Sequence, residues 1–273
     1  MTYATIELAI CDHVAILTLN QPASRNGLTE TLQQEVLAGL KRVEQERKAR
    51  ALIITGAGKS FCSGADLGRI GDTSGSDSLG NRVSQSMEEL SNPIILAIRN
   101  LSVPVVAAVN GAAAGAGISI ALAADVVVAA RSAFFLTPFL PRLGIVPDMG
   151  ATWFLPHHLG RARALGLMLL GDRLPAQTAQ EWGLIWSCVE DEALMKEARG
   201  IAARLSQLPA HAALEARAAL HAALGQDLPQ QLDYERQRQK ELIDLPSFQE
   251  GVRAFFEKRE PVFARPGPEG KEK

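Results

Sequence analysis

Ser60-Phe61-Cys62-Ser63-Gly64-Ala65-Asp66-Leu67 and, further along, Asn110-Gly111-Ala112-Ala113-Ala114-Gly115-Ala116-Gly117 decide how this chain is read. Each follows a buried apolar run, Ala51 to Thr55 for the first and Val103 to Val109 for the second, and each turns through small residues into a helix. Such a turn leaves backbone N–H groups without intrahelical acceptors. Two of them converging on one oxygen make an oxyanion hole, so the chemistry first indicated is a reaction through an enolate or a tetrahedral anion.

Outward from these turns the chain alternates. Ile6 to Ile10 and His13 to Leu19 read as a strand hairpin, and Gln21 to Gly27 reads as a loop by composition. Thr29, followed by Glu30 and Gln33, is a helix cap for the amphipathic run Leu32, Val36, Leu37, Leu40, Val43. Gly71 to Gly80 has the composition of a surface loop beside a site, and Ser86 to Ile98 that of an amphipathic helix. Asp125 to Ala130 and Ala133 to Leu136 are strand candidates, and Thr152 to Leu170 is helical. From about Asp191 helix formers dominate: Ala193 to Leu205, His211 to Leu220, Leu228 to Ile243 and Phe248 to Phe256. The expectation is an α/β core over 1–195, a helical region over 196–264 and a disordered tail over 265–273. No fixed-period repeat is visible.

Composition narrows the class. Of 273 residues 47% are hydrophobic, enough for a large core, and 28 basic against 30 acidic side chains give no excess positive charge for nucleic acid or an anionic membrane. Three cysteines, Cys11, Cys62 and Cys188, are too scattered for a disulfide framework or a zinc site, and no metal is expected. The start lacks a signal-peptide pattern and the run Ala112 to Ala124 falls short of a membrane span, so the expected location is cytoplasmic.

Two glycine motifs fail on inspection. Gly56-Ala57-Gly58-Lys59-Ser60 ends like a phosphate-binding loop but has Ile53 where the motif needs its first glycine. Gly111-x-x-x-Gly115-x-Gly117 is similar to a nicotinamide-binding turn, yet that turn closes the first strand of its fold, and Tyr3 and Tyr234 lack the lysine a dehydrogenase pair requires.

The two turns, the strand Val103-Pro104-Val105-Val106-Ala107-Ala108-Val109, the segment Leu143-Gly144-Ile145-Val146-Pro147-Asp148-Met149-Gly150, the later Leu170-Gly171-Asp172-Arg173-Leu174-Pro175-Ala176 and Phe255-Phe256-Glu257-Lys258-Arg259 together resemble the crotonase superfamily of enoyl-CoA hydratases and isomerases. The resemblance covers nearly the whole chain. It implies a crotonase-like ββα spiral core with a C-terminal helical region, an acyl-CoA thioester as substrate, and no cofactor beyond the coenzyme A that the substrate carries. It places the oxyanion donors at the N–H groups of Ala65 and Ala116. The family usually has glycine at the second position, so the methyl of Ala116 is expected to narrow the pocket or shift the turn.

The family's hydratases use two glutamates, and by position these fall at Ser119 and at Phe139 or Leu140, none of which titrates. Asp148 remains, at the position of a catalytic aspartate in isomerases of the ring-1,2-epoxyphenylacetyl-CoA type. Its neighbours Val146, Pro147, Met149 and Trp153 are apolar, which raises a carboxyl pKa and suits a group that takes and returns a proton. The plainer reading is a cap on the helix starting near Thr152. Asp66 and Asp125 read as structural hydrogen-bonding groups, Ser119 as a packed small residue or a contact to substrate or water, Cys62 as a small buried residue rather than a thiolate, and His157 and His158 as loop or interface residues.

The resemblance further implies that Arg25 meets the pyrophosphate of coenzyme A, that Ser63, Asp66 and Leu67 frame its adenine, that Phe139 bears on the acyl pocket, and that Phe255 and Lys258 reach the nucleotide of a neighbouring subunit in a homotrimer or dimer of trimers. The expected activity is an acyl-CoA isomerase, moving a double bond or opening a ring through a thioester enolate with one carboxylate as proton shuttle. A hydratase using Asp148 with a bound water and Ser119, and a catalytically silent acyl-CoA-binding or RNA-binding homologue, are the alternatives.

Overall fold

The computed structural model describes residues 2–66 and 78–263. Leu67, most of the Gly71–Gly80 segment and the tail expected to be disordered lie outside the described residues.

The strands are β1 (Ile6–Cys11), β2 (Val14–Leu19), β3 (Ala51–Gly56), β4 (Ser60–Cys62), β5 (Val105–Val109), β6 (Ala112–Ala114), β7 (Val126–Ala130), β8 (Phe134–Leu136), β9 (Leu174–Pro175) and β10 (Ser187–Val189). They form two sheets. A six-stranded sheet runs β1-β2-β3-β5-β7-β10, and a four-stranded one runs β4-β6-β8-β9. β1 and β2 are an antiparallel hairpin through Asp12 and His13, both left-handed, while β2, β3, β5, β7 and β10 are successively parallel. All five residues of β5 and the first five of β3 are buried, as expected of parallel strands covered on both faces, which is why they read as continuous apolar runs.

Three of the long strands are each followed after a few residues by a short strand in the second sheet: β3 by β4, β5 by β6, β7 by β8. This is the ββα spiral. The connections between units differ greatly in length, so the structural repeat leaves no fixed period in the sequence. β4 and β6 were not legible as strands, because three residues among glycines and alanines carry no alternation.

The helices follow the reading with shifts at their ends. α1 (Glu30–Glu46) is capped by Thr29, whose hydroxyl accepts the N–H of Leu32. α2 (Leu79–Ser86) runs through a π-helical turn over Met87–Ser91 into α3 (Asn92–Asn100), so this helix starts earlier than expected. α4 (Ala116–Leu122) is wholly buried, and α5 (Ala151–Leu170) is kinked where Gly160 leaves helical geometry. α6 (Ala176–Glu181) leads to β10. His157 and His158 lie within α5, not on a loop.

A helix spans the boundary expected after residue 195. α7 (Leu194–Leu205) buries Leu194, Ala198, Ile201 and Ala202 against β3, β5 and β7 and belongs to the core. The appended region comprises α8 (Ala212–Ala223), α9 (Leu228–Ile243) and α10 (Pro246–Glu257). One buried arginine fastens it. Arg217 on α8 donates from Nε and Nη2 to the two carboxylate oxygens of Asp125, each at 2.6 Å, and from Nη1 and Nη2 to the carbonyls of Arg99, Leu101 and Val103. Asp125 in turn accepts the N–H of Val105, so the structural role expected for it is the one it has. No helix among the described residues is long and apolar enough to cross a membrane.

Candidate active site

β4 and β6 are parallel neighbours in the small sheet, so the turns that leave them emerge at the same edge. They pack against one another. Gly64 has φ +88°, and a Cβ there would stand 2.9 Å from the carbonyl oxygen of Ala114 and 3.2 Å from the nitrogen of Ala116. Only glycine takes this conformation at this approach without displacing the second turn. Gly117 is held as closely, since a Cβ on it would lie 2.3 Å from the carbonyl oxygen of Cys62.

The N–H of Gly115 donates to Leu136 and that of Leu28 to Gly64, but among the described residues neither Ala65 nor Ala116 donates its N–H to the chain. Ala116 is the first residue of α4, and its N–H carries the partial positive charge of a helix start. It has no positive φ, so its methyl brings no backbone strain.

The first turn is braced from the loop after β2. Asn26, fully buried, donates from Nδ2 to the carbonyls of Ala57 (3.0 Å), Ser60 (2.8 Å) and Phe61 (3.2 Å), and its Oδ1 accepts the N–H of Gln21 at 2.9 Å. Asn110 performs a similar task, accepting the N–H of Gly56 and donating to Gly58 and Ser60. Ser63 donates its N–H to the carbonyl of Arg25, which brings the side chains of Arg25, exposed, and Ser63, half-buried, to one rim. Asn26 escaped the sequence reading because a lone asparagine in a loop signals only a turn.

Asp148 lies between buried Pro147 and Met149, just ahead of α5. Its Oδ1 is buried without a hydrogen-bond partner, and burial pushes its carboxyl up to about 6. It does not cap α5, which opens at Gly150 with no side-chain cap. The apolar setting comes from Pro147 and Met149; Val146 is exposed and Trp153 stacks on the His157 ring at 4.4 Å. Cys62 is buried and its thiol is pushed up to about 12, so it stays protonated and is no nucleophile.

The hydroxyl of Ser119, buried on α4, donates to the main-chain carbonyl of Asp148 at 3.1 Å. Phe139 is buried with Cζ 3.7 Å from where a Cβ on Gly115 would be, so an aromatic wall adjoins the second turn. Asp66 adjoins Ala65, whose bridge to Leu28 extends the small sheet. Arg25, Ser63, Asp66, Ala65, Ala116, Ser119, Phe139 and Asp148 are thus gathered around the two turns. Phe255 and Lys258 are not. They sit at the end of α10 with Phe255 exposed, beside a groove lined by Phe248, Val252 and Phe263. A cavity of about 720 Å³ at the opposite end of the large sheet, around His13, Arg50 and Pro104, touches none of these groups.

Known proteins are similar to this chain over nearly its whole length. The enoyl-CoA hydratase/isomerase family model matches residues 10–266. A Rhodobacter capsulatus protein named a probable enoyl-CoA hydratase is 43% identical over 96% of this chain and 99% of its own length. The 1,2-epoxyphenylacetyl-CoA isomerase of Escherichia coli is 42% identical over 92% of this chain and 94% of its own. The crystal structure of an enoyl-CoA hydratase from Bacillus anthracis superposes with a TM-score of 0.86 at 32% identity, covering 95% of this chain and 99% of the other. The ββα spiral, the paired turns and these relatives together make the chain a member of the enoyl-CoA hydratase/isomerase family, the crotonase superfamily.

Proposed function

We propose that the protein is an acyl-CoA isomerase in which Asp148 is the proton shuttle. The observation that carries this is the Oδ1 of Asp148, buried and unpartnered in a carboxyl raised to about 6, on a segment bonded to the helix that begins with the Ala116 N–H. The thioester carbonyl oxygen accepts hydrogen bonds from the N–H groups of Ala65 and Ala116. The ionised Asp148 removes a proton from the substrate carbon, the two donors hold the dienolate oxygen, and the protonated Asp148 returns the proton at another carbon. Each donor is worth about 3 kcal/mol in comparable sites. One carboxylate suffices, because no water has to be activated.

The relatives named hydratase favour a second reading, in which Asp148 and a bound water hydrate a 2-enoyl-CoA. A panel separates the two. The protein is incubated with 2-enoyl-, 3-enoyl- and ring-epoxide CoA thioesters, and hydration is followed apart from double-bond migration and ring opening. Migration or ring opening supports the isomerase; hydration without either overturns it. Ring-epoxide substrates belong in the panel because of the similar E. coli isomerase.

The partner proposed is a second copy of the chain, in a homotrimer or dimer of trimers. Phe255, Phe256, Leu220 and Leu228 of the C-terminal helices are more than two-thirds exposed in the single chain, an apolar face that self-association would cover. Sedimentation of the purified protein tests it, with a monomer as the overturning result.

A further inference from the structure

Ser119 stands three residues after Ala116 on α4, which puts the two on one face of the helix, one turn apart. The oxygen that accepts its hydroxyl, the carbonyl of Asp148, also accepts the N–H of Ala151 at 3.0 Å. Around it the chain is poorly supported: residues 143–146 are exposed, and Met149 and Gly150 both take left-handed conformations, φ 48° and 86°. A methionine holds that conformation only when its surroundings impose it. Among the described residues, the Ser119 hydroxyl is the one side chain that donates to residues 143–150.

We propose that Ser119 is a positioning residue: its hydroxyl ties the main chain of Asp148 to the helix that supplies the second oxyanion donor, and so fixes the distance from the base to the carbon it deprotonates. This rests on the isomerase reading above. The hydroxyl itself does not meet substrate, being fully buried and committed to a carbonyl. Proton transfer needs the base within hydrogen-bonding reach, and a displacement of about 1 Å costs on the order of 100-fold in rate. Without the hydroxyl, the segment is left to the packing of Pro147 and Met149, and the carboxyl becomes better hydrated.

The test compares wild type with Ser119→Ala, Ser119→Thr, Ser119→Cys and, as a packing control on the same helix, Ile120→Val. Double-bond migration of a 3-enoyl-CoA and deuterium exchange from solvent at the α-carbon are both measured. Ser119→Ala should lower kcat about 10- to 100-fold with KM within about twofold, and the acid limb of its pH profile should fall below that of wild type. Ser119→Thr should recover most of the rate, and Ile120→Val should lose thermal stability without losing kcat. If the alanine variant does not fold, Ser119→Cys, close in volume and a weaker donor, is read in its place. An unchanged kcat and acid limb in the variant, or an equal loss in Ile120→Val, overturns the proposal. If wild type neither moves a double bond nor opens a ring, the isomerase reading fails by itself. Exchange that is slowed in the Ser119 variant then still upholds the positioning role, and the absence of exchange in wild type ends both.

Discussion

Gly64 lies so close to Ala116 that a Cβ on it would stand 3.2 Å from that residue's backbone nitrogen. The first turn can therefore carry no side chain at this point without entering the space beside the N–H proposed as the second oxyanion donor. Its φ of +88° adds a second restriction. Gly64→Ala should lower kcat by at least about 100-fold, the loss typical of a removed oxyanion donor. It should also destabilise the fold by about 1–3 kcal/mol. Steady-state kinetics and urea unfolding measure the two effects, and wild-type kcat in the variant would contradict this account of the hole.

With Asp148 as the proposed base, its raised carboxyl sets the pH dependence. The base works only when ionised, so kcat/KM should rise with pH through an acid limb near about 6 and be level above it. Asp148→Asn should remove turnover at every pH while leaving the affinity for coenzyme A largely intact, as measured by calorimetry.

The same shift predicts a stability effect of defined sign. A carboxyl whose folded pKa lies above its unfolded value contributes stability at pH below about 4, and this is lost as the pH rises through about 6. Above that, the ionised Asp148 weighs on the fold by at most about 3 kcal/mol. Asp148→Asn should thus melt higher than wild type near pH 8 and equally near pH 4, by calorimetric scans at about these two values. A lower melting temperature at the higher pH would contradict the assignment of burial as the cause.

Asn26 should tolerate neither of two conservative changes. Asn26→Ala takes the side-chain donor from the carbonyls of Ala57 and Phe61, leaves that of Ser60 to Asn110 alone, and should cost about 2 kcal/mol. Asn26→Asp keeps the shape but turns a charged acceptor towards three carbonyl oxygens, and should cost more. Unfolding midpoints rank the two, and the reverse order would contradict the hydrogen-bond assignment.

Arg217→Ala should cost about 3–5 kcal/mol, since it strands Asp125 and three backbone carbonyls. Because Arg217 joins α8 to the sheet, proteolysis should then release the C-terminal helices first. Equal protection of both parts would argue against its role as a fastener.

Much of this architecture was legible in the residues. The apolar runs of β3 and β5, the Thr29 cap and the C-terminal helices followed from burial and periodicity. The short strands β4 and β6 were not, because their pairing depends on residues far apart in the chain. The packing of α7, which spans the boundary expected after residue 195, was hidden for a related reason: its amphipathic face is visible in sequence, but the surface that covers it is not. Ser119 and Asn26 gave weak signals, since a small polar residue acquires a task only from the acceptor placed opposite it.

The sequence by itself determined that the chain makes two glycine-rich turns after buried strands, that both expose backbone N–H groups, and that the usual pair of glutamates is missing while one aspartate remains. These are properties of residue type and order. The tertiary structure decided that the turns lie side by side, that the Oδ1 of Asp148 is unpartnered and its carboxyl raised in pKa, and that the Ser119 hydroxyl ties its main chain to α4. Those depend on contacts between residues remote in sequence and on the exclusion of water, which no local pattern encodes.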